Sequence, residues 1–149
     1  IHVMAGLKPQ GADVATLETT YIQNIAWAAA EAKKSGRDVL IEPINTRDIP
    51  GFFLNYQAQA HEIVQHIGAS NVKVQMDLYH CQIMEGDLAS KIRQYLPTGR
   101  VGHLQIAAVP DGVNPTEVSV PASPAATSLI RTVHVPLLNS PRNPSSPKV

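Results

Sequence analysis

Residues 39–77 read VLIEPINTRDIPGFFLNYQAQAHEIVQHIGASNVKVQMD, and this stretch decides the fold class. It begins with VLIEPI (39–44), an apolar run broken by one acid, and it ends with the strand-like run VKVQMD (72–77). Between these runs, residues 56–67 carry apolar side chains at helical spacing, and Gly68 follows as a stop signal. The order strand, helix, strand predicts two parallel strands joined by a right-handed crossover.

The same alternation continues on both sides of this stretch. Upstream, an apolar run at 1–5 precedes a helical pattern at 16–35, and downstream a helix beginning after Asp87 precedes a strand-like run at 101–109. The order βαβαβαβ over residues 1–110 predicts an α/β fold, either a doubly wound sheet or half of an eight-stranded barrel. Both folds bind ligands at the carboxyl ends of their strands.

The composition changes after Pro110. Residues 111–149 contain no aromatic residue and seven of the twelve prolines, namely Pro115, Pro121, Pro124, Pro136, Pro141, Pro144 and Pro147. Proline removes a backbone donor and interrupts both helices and central strands. We expect a low-complexity, disordered tail that is separate from the α/β region.

Bulk properties exclude several classes of protein. The formal net charge is zero, with 44% hydrophobic and 16% charged residues, so we expect a folded core and no nucleic-acid partner. No apolar run is long enough to cross a membrane. The single cysteine, Cys81, excludes a disulfide framework and favours a reducing, cytoplasmic compartment. Because the chain begins at Ile1 within an apolar run, we expect further sequence before it; the sequence leaves the oligomeric state open.

Four polar residues lie at the ends of the predicted strands, namely Glu42, Asp77, His80 and Gln105. Parallel strands bring these ends to one rim, so we expect the side chains to converge. Two carboxylates and an amide oxygen are hard ligands suited to Mg²⁺ or Mn²⁺. Each residue alone has a simpler interpretation: Glu42 as half of an ion pair, Asp77 as the cap of a turn, and His80 as a hydrogen-bonded core histidine.

Three further residues are candidates for binding a substrate at the same rim. Asn45 and Arg47 follow Glu42 in the next loop, and an arginine fork is suited to a substrate carboxylate. His103 shares a strand face with Gln105. The simpler alternatives are a solvated loop arginine and a core histidine. We expect Cys81 to be an inert buried thiol.

Three segments resemble the hydroxypyruvate isomerase family, a branch of the xylose isomerase-like TIM barrels. They are LIEPINTRDIPGFFLN, QMDLYHCQIMEGDL and VGHLQIAAVP, and the opening IHVMAG is similar to the fourth strand of that family. The resemblance covers about residues 1–110. It implies a portion of a (β/α)8 barrel, strands four to seven, with a tail at 111–149 that is unrelated to the family.

The resemblance also implies roles for single residues. Glu42, Asp77 and Gln105 fall on metal ligands, Glu42 also inherits a proton-transfer role, and His80 falls in the substrate pocket. The family's second catalytic glutamate, on strand eight, has no counterpart, because Glu117 lies in the tail. The implied reaction interconverts hydroxypyruvate and tartronate semialdehyde, with a small hydroxy-oxo acid as substrate and Mg²⁺ or Mn²⁺ as cofactor.

Three alternatives remain open within and beyond this resemblance. One is a related isomerase or epimerase acting on a different sugar or sugar acid. Another is a truncated, non-catalytic isoform or fragment, since half of the catalytic pair is missing. An open α/β binding domain with a proline-rich tail is a third and weaker interpretation.

Overall fold

One parallel sheet organises the chain. The computed structural model describes residues 1–107 and the backbone of residues 132–133. The strands are β1 (His2–Val3), β2 (Val39–Ile41), β3 (Val72–Asp77), β4 (Val101–Gln105) and β5 (Thr132–Val133). They pair in parallel in the order β4-β3-β2-β1-β5. The predicted α/β class with parallel strands is confirmed for residues 1–107, whereas the predicted disorder of the tail lies outside the described residues.

Helices connect the first four strands and cover one face of the sheet. They are α1 (Val14–Lys33), α2 (Gln57–Ile67), α3 (Leu78–Met84) and α4 (Leu88–Tyr95). Asp13 caps α1 by accepting a hydrogen bond from the Thr16 backbone N–H, and Gly68 ends α2 in the left-handed conformation. The sequence predicted α1, α2 and α4 in these places. It did not predict α3, and it extended β4 to Val109, whereas the strand ends at Gln105.

The hydrophobic core lies between the sheet and the helices. Side chains from alternate strand positions, among them Ile41 and Val74, are fully buried there. Tyr21 of α1 packs edge-on against Phe53 with ring centroids 5.5 Å apart. Trp27 of the same helix points away from the core and is 67% exposed. No helix in the described part of the chain is long and apolar enough to cross a membrane.

The register of the sheet sets the position of the polar residues. Asp77 of β3 lies opposite Gln105 of β4, and Gln75 lies opposite His103. These four residues occupy the face of the sheet that the helices leave open, because strand side chains alternate between faces. The carboxyl ends of β2, β3 and β4 therefore present polar side chains at one edge, as predicted.

Candidate active site

A buried acidic pair forms the centre of the site. Glu42 follows the end of β2 directly, and Asp77 is the last residue of β3. Each offers a carboxylate oxygen, and these atoms and a ring nitrogen of His80 all lie within 4.8 Å of one another. Glu42 is 6% exposed and Asp77 is 2% exposed. Two adjacent carboxylates with so little water are costly to keep ionised unless a cation lies beside them.

Asp77 combines a local role with its place in this cluster. One carboxylate oxygen accepts the Tyr79 backbone N–H at 2.8 Å and so caps α3. The other lies 3.8 Å from His80 Nε2. Burial raises the pKa of Asp77; His80 and the Tyr79 N–H oppose the rise, and Glu42 adds to it. Both interpretations of Asp77, as a cap and as a member of the polar cluster, therefore hold.

His2 is a member of the site that the sequence did not reveal. Its Nε2 lies 3.0 Å from Glu42 Oε2, and both side chains are buried. The two atoms are close, but they are not aligned for a hydrogen bond. The ion-pair alternative for Glu42 anticipated a lysine, and the neighbour is a histidine from β1. No spacing rule links residues forty positions apart, but the pairing of β1 with β2 brings them together.

Asn45 connects the loop after β2 to His80. Its Nδ2 lies 2.7 Å from His80 Nδ1, and its backbone N–H points to the same nitrogen at 3.4 Å. The amide also bonds to Asp48 twice: Nδ2 donates to the carboxylate at 2.9 Å, and Oδ1 accepts the backbone N–H at 2.8 Å. The side chain of Asn45 is fully buried.

Arg47 lies at the rim, within a network of polar side chains. Its Nη2 donates to Tyr79 Oη at 2.8 Å, and its Nε donates to Asp48 at 3.2 Å. Tyr79 donates in turn to Asp48 at 2.6 Å. The hydrogen bonds from Tyr79, Asn45 and Arg47 lower the pKa of Asp48 to about 2. This network joins the loop after β2 to α3 and leaves the Arg47 side chain 47% exposed.

Gln105 and His103 lie on the β4 side of the site. Gln105 is exposed, and its Oε1 accepts a hydrogen bond of 2.8 Å from Gln75 Nε2. His103 is half-buried beside Gln75. Cys81 is buried, and burial raises the pKa of its thiol to about 11, as expected of an inert thiol. The structure thus clusters Glu42, Asp77 and His80, with Gln105 on the strand beside Asp77.

Known proteins are similar to this chain in sequence and in fold. The family model of the xylose isomerase-like TIM barrel matches residues 1–137. A 2-oxo-tetronate isomerase from Cupriavidus necator is 53% identical over 115 residues, covering 77% of this chain and 44% of that protein. The hydroxypyruvate isomerase of Escherichia coli is 39% identical over 107 residues, covering 72% of this chain and 41% of that protein.

Solved structures agree with the sequence relatives. A crystal structure titled as an AP endonuclease of family 2, from Brucella melitensis, superposes with a TM-score of 0.69 at 44% identity, covering 74% of this chain and 42% of that chain. A D-psicose 3-epimerase superposes with a TM-score of 0.56 at 28% identity, covering 66% of this chain and 32% of that chain. The chain spans less than half the length of the curated relatives it matches. The match to the family model and the identity to these isomerases show that the chain belongs to the xylose isomerase-like TIM-barrel family.

Proposed function

We propose that this segment carries half of the active site of a metal-assisted isomerase of short hydroxy-oxo acids, which interconverts hydroxypyruvate and tartronate semialdehyde. The observation that carries the proposal is the buried cluster of Glu42, Asp77 and His80 at the carboxyl ends of neighbouring strands. Active sites of TIM barrels lie at this end of the strands. The isomerases among the relatives support the reaction class. We expect the cytoplasm as its compartment, since Cys81 is the only thiol.

The donor set fits a divalent cation. Glu42 and Asp77 provide buried carboxylate oxygens, and Gln105 offers an amide oxygen from the strand position opposite Asp77. Oxygen ligands of this kind favour Mg²⁺ or Mn²⁺. A cation between the two carboxylates would offset the cost of their burial. Such an ion supplies Lewis-acid stabilisation of the negative charge that develops on a substrate oxygen.

The reaction moves a proton between adjacent carbons. In hydroxypyruvate one proton leaves C3 and one arrives at C2, while the C3 hydroxyl loses its proton and the C2 oxygen gains one, so that the ketone becomes an alcohol and C3 becomes an aldehyde. Glu42 is our candidate for the base that removes the C3 proton. Its contact with His2 places an imidazole ring next to the carboxylate that would hold the proton.

The second half of the proton transfer needs a group outside the described residues. The implied family mechanism uses another glutamate on the opposite side of the substrate, and residues 1–107 provide no acid there that joins the cluster. Removal of the C3 proton requires one base, whereas delivery of a proton to C2 requires the second group. We therefore propose that the segment supports proton exchange at C3 and contributes to full turnover only within a complete barrel.

A second substrate has specific support. The relative that is 53% identical is named a 2-oxo-tetronate isomerase. Its substrate is one hydroxylated carbon longer than hydroxypyruvate and carries the same 2-oxo acid end. A pocket that holds the carboxylate and the C2 oxygen would accept either acid, and the room beyond C3 would select between them.

Metal binding and proton exchange test the proposal together. Mn²⁺ is titrated into the metal-free 149-residue chain by calorimetry, and deuterium incorporation at C3 of hydroxypyruvate and of 2-oxo-tetronate is followed by NMR in D₂O. We expect Glu42→Gln and Asp77→Asn to weaken Mn²⁺ binding at least ~10-fold, and Glu42→Gln to abolish the protein-dependent exchange. Glu31→Gln is the matched control, because Glu31 is exposed on α1 and pairs only with Lys34 in the described structure.

The outcomes separate the competing functions. Faster exchange with hydroxypyruvate than with 2-oxo-tetronate supports the first substrate, and the reverse order supports the second. Mn²⁺ binding without any exchange above the protein-free background favours the truncated, non-catalytic alternative. Equal Mn²⁺ affinity in the wild type, Glu42→Gln and Asp77→Asn would contradict the metal site.

A further inference from the structure

The hydrogen bonds of Asn45 fix the orientation of its side-chain amide. The Asp48 backbone N–H can only donate, so the atom of Asn45 that it contacts at 2.8 Å must be the carbonyl Oδ1. The Asp48 carboxylate, 2.9 Å from the other end of the amide, can accept a hydrogen bond from Nδ2. Both contacts select the same orientation. They therefore fix which end of the amide is Oδ1 and which is Nδ2, an assignment that is often ambiguous for asparagine side chains.

This orientation determines where His80 carries its hydrogen. The amide hydrogens of Asn45 point at Asp48 and at His80 Nδ1, which lies 2.7 Å from Nδ2. The Asn45 backbone N–H approaches the same ring nitrogen at 3.4 Å. A nitrogen facing two donors must accept, so in the neutral ring the hydrogen lies on Nε2. The Nε2–H then points toward the acidic pair, 3.8 Å from Asp77 Oδ2.

We propose that Asn45 is a positioning residue that holds His80 in the Nε2–H tautomer, so that His80 acts in the site as a hydrogen-bond donor and not as a metal ligand. The inference deepens the proposed function and rests on it for the identity of the site. A protonated Nε2 has no lone pair to offer a cation, although it lies close enough to the carboxylates to be counted among possible ligands. It can donate to a carboxylate or to a developing oxyanion of the substrate.

The proposal also separates the roles of two neighbouring loop residues. The Asn45 amide is fully buried and engaged by Asp48 and His80, so it acts on the substrate through His80. Asp48 holds Asn45 from the far side, and its carboxylate is held in turn by Tyr79. The orientation of His80 is therefore set by a chain of hydrogen bonds that begins at the rim of the site.

Nitrogen NMR reads the tautomer directly. The metal-free, substrate-free 149-residue chain is labelled with ¹⁵N, and long-range ¹H–¹⁵N spectra are recorded near pH 8, above the ordinary imidazole pKa of ~6.5. The His80→Gln variant identifies the His80 signals. We expect the Nε2–H pattern in the wild type. Asn45→Asp keeps the acceptor for the Asp48 N–H but removes both donations of Nδ2, to the Asp48 carboxylate and to His80, and places an acceptor opposite His80 Nδ1. We therefore expect the Nε2–H fraction to fall from nearly all to less than half.

Thr46→Val is the matched control, because it changes the adjacent loop residue, whose hydroxyl contacts Met84 and not His80; it should leave the tautomer unchanged. A wild-type His80 in the Nδ1–H form overturns the proposal without any variant, as does an unchanged tautomer in a folded Asn45→Asp chain. Because no metal or substrate is present, this result is independent of the metal-binding and exchange tests of the proposed function.

Discussion

At the scale of single residues, Gly102 shows how tightly the polar face of the sheet is built. It lies where the pairing of β3 with β4 shifts register. A Cβ at this position would lie 2.6 Å from Lys73 Cβ and 2.8 Å from Leu40 Cδ2. The first of these atoms cannot move without its backbone, so a methyl group must displace a neighbouring strand.

We therefore expect Gly102→Ala to lower the free energy of unfolding by about 1–3 kcal/mol, the usual cost of overpacking. Urea denaturation of the two proteins measures the difference. Leu104→Ala in the same strand is the control, since Leu104 is 38% exposed and its truncation should cost less. Equal stability of Gly102→Ala and the wild type would show that the strands can separate at no cost.

Tyr79 gives a second prediction at this scale. Its hydroxyl is the main reason why the pKa of Asp48 lies at about 2. We expect Tyr79→Phe to raise this pKa toward the ordinary value of ~3.9, as followed by the carboxyl carbon shift of Asp48 during an acid titration. A depressed carboxyl pKa stabilises the fold above ~3.9 and loses this effect as the pH falls toward 2.

In Tyr79→Phe, the stabilising contribution of the ionised Asp48 carboxylate should therefore be smaller. It should also be lost at a higher pH than in the wild type. Tyr56→Phe is the control, because Tyr56 is 48% exposed and does not contribute to the pKa shift of Asp48 in the described structure. An Asp48 pKa that stays near 2 in Tyr79→Phe would assign the shift to Asn45 and Arg47 instead.

Which residues of the site could be predicted depends on whether the signal is local. Glu42 and Asp77 interrupt or end apolar runs, and their strands are parallel, so their meeting followed from the sequence pattern. His2 has no such signal, because its contact with Glu42 depends on the pairing of β1 with β2. The contact between Asn45 and His80 likewise joins the loop after β2 to α3, thirty-five residues further along the chain.

At the scale of elements, the helices with long apolar faces were predictable and the short one was not. α1 and α2 extend over several turns, and their buried residues recur every three or four positions. α3 has seven residues and begins directly after β3, with the last strand residue, Asp77, as its cap. A single side chain that ends a strand and starts a helix leaves no loop signature between the two elements.

The packing of α2 against α4 leads us to predict that the free energy of unfolding depends on pH. His61 of α2 stacks on Tyr95 of α4 with ring centroids 4.1 Å apart, and neither ring nitrogen has a hydrogen-bond partner in the described structure. Burial lowers the pKa of His61 to about 4, with Arg100 contributing. The pKa of histidine in an unfolded chain is ~6.5. Between this pH and pH 4, the unfolded chain binds more protons than the folded chain, so the free energy of unfolding falls as the pH falls.

We expect the free energy of unfolding to drop by roughly 1–2 kcal/mol more between pH 7 and pH 5 in the wild type than in His61→Phe, which keeps an aromatic ring on Tyr95 and cannot titrate. Urea denaturation at the two pH values measures this difference. His66→Phe is the control, since His66 is exposed on the same helix. The same pH dependence in His61→Phe would mean that His61 is protonated within the fold at pH 5.

At the scale of the whole molecule, the sheet has an edge that the described residues leave unpaired. β4 pairs with β3 on one side only within residues 1–107, and Leu104 and Ile106 are 38% and 42% exposed there. In a closed barrel every strand has two neighbours. The relatives are more than twice as long as the matched region, which is the length that further barrel strands require.

The last prediction concerns the 149-residue chain in isolation. We expect it to fold with lower stability than a closed barrel, to associate at raised concentration through its open edge, and to convert hydroxypyruvate to tartronate semialdehyde at a rate far below the ~10 s⁻¹ median of enzymes. Proton exchange at C3 should persist although turnover is nearly lost, because exchange at this carbon requires one base, Glu42.

The association is measured by light scattering after size exclusion. Leu104→Lys places a charge at the open edge and should reduce the association. Full turnover by a monomeric 149-residue chain would instead mean that these residues supply both proton-transfer groups, and the site would have to be sought again among side chains beyond Ala107.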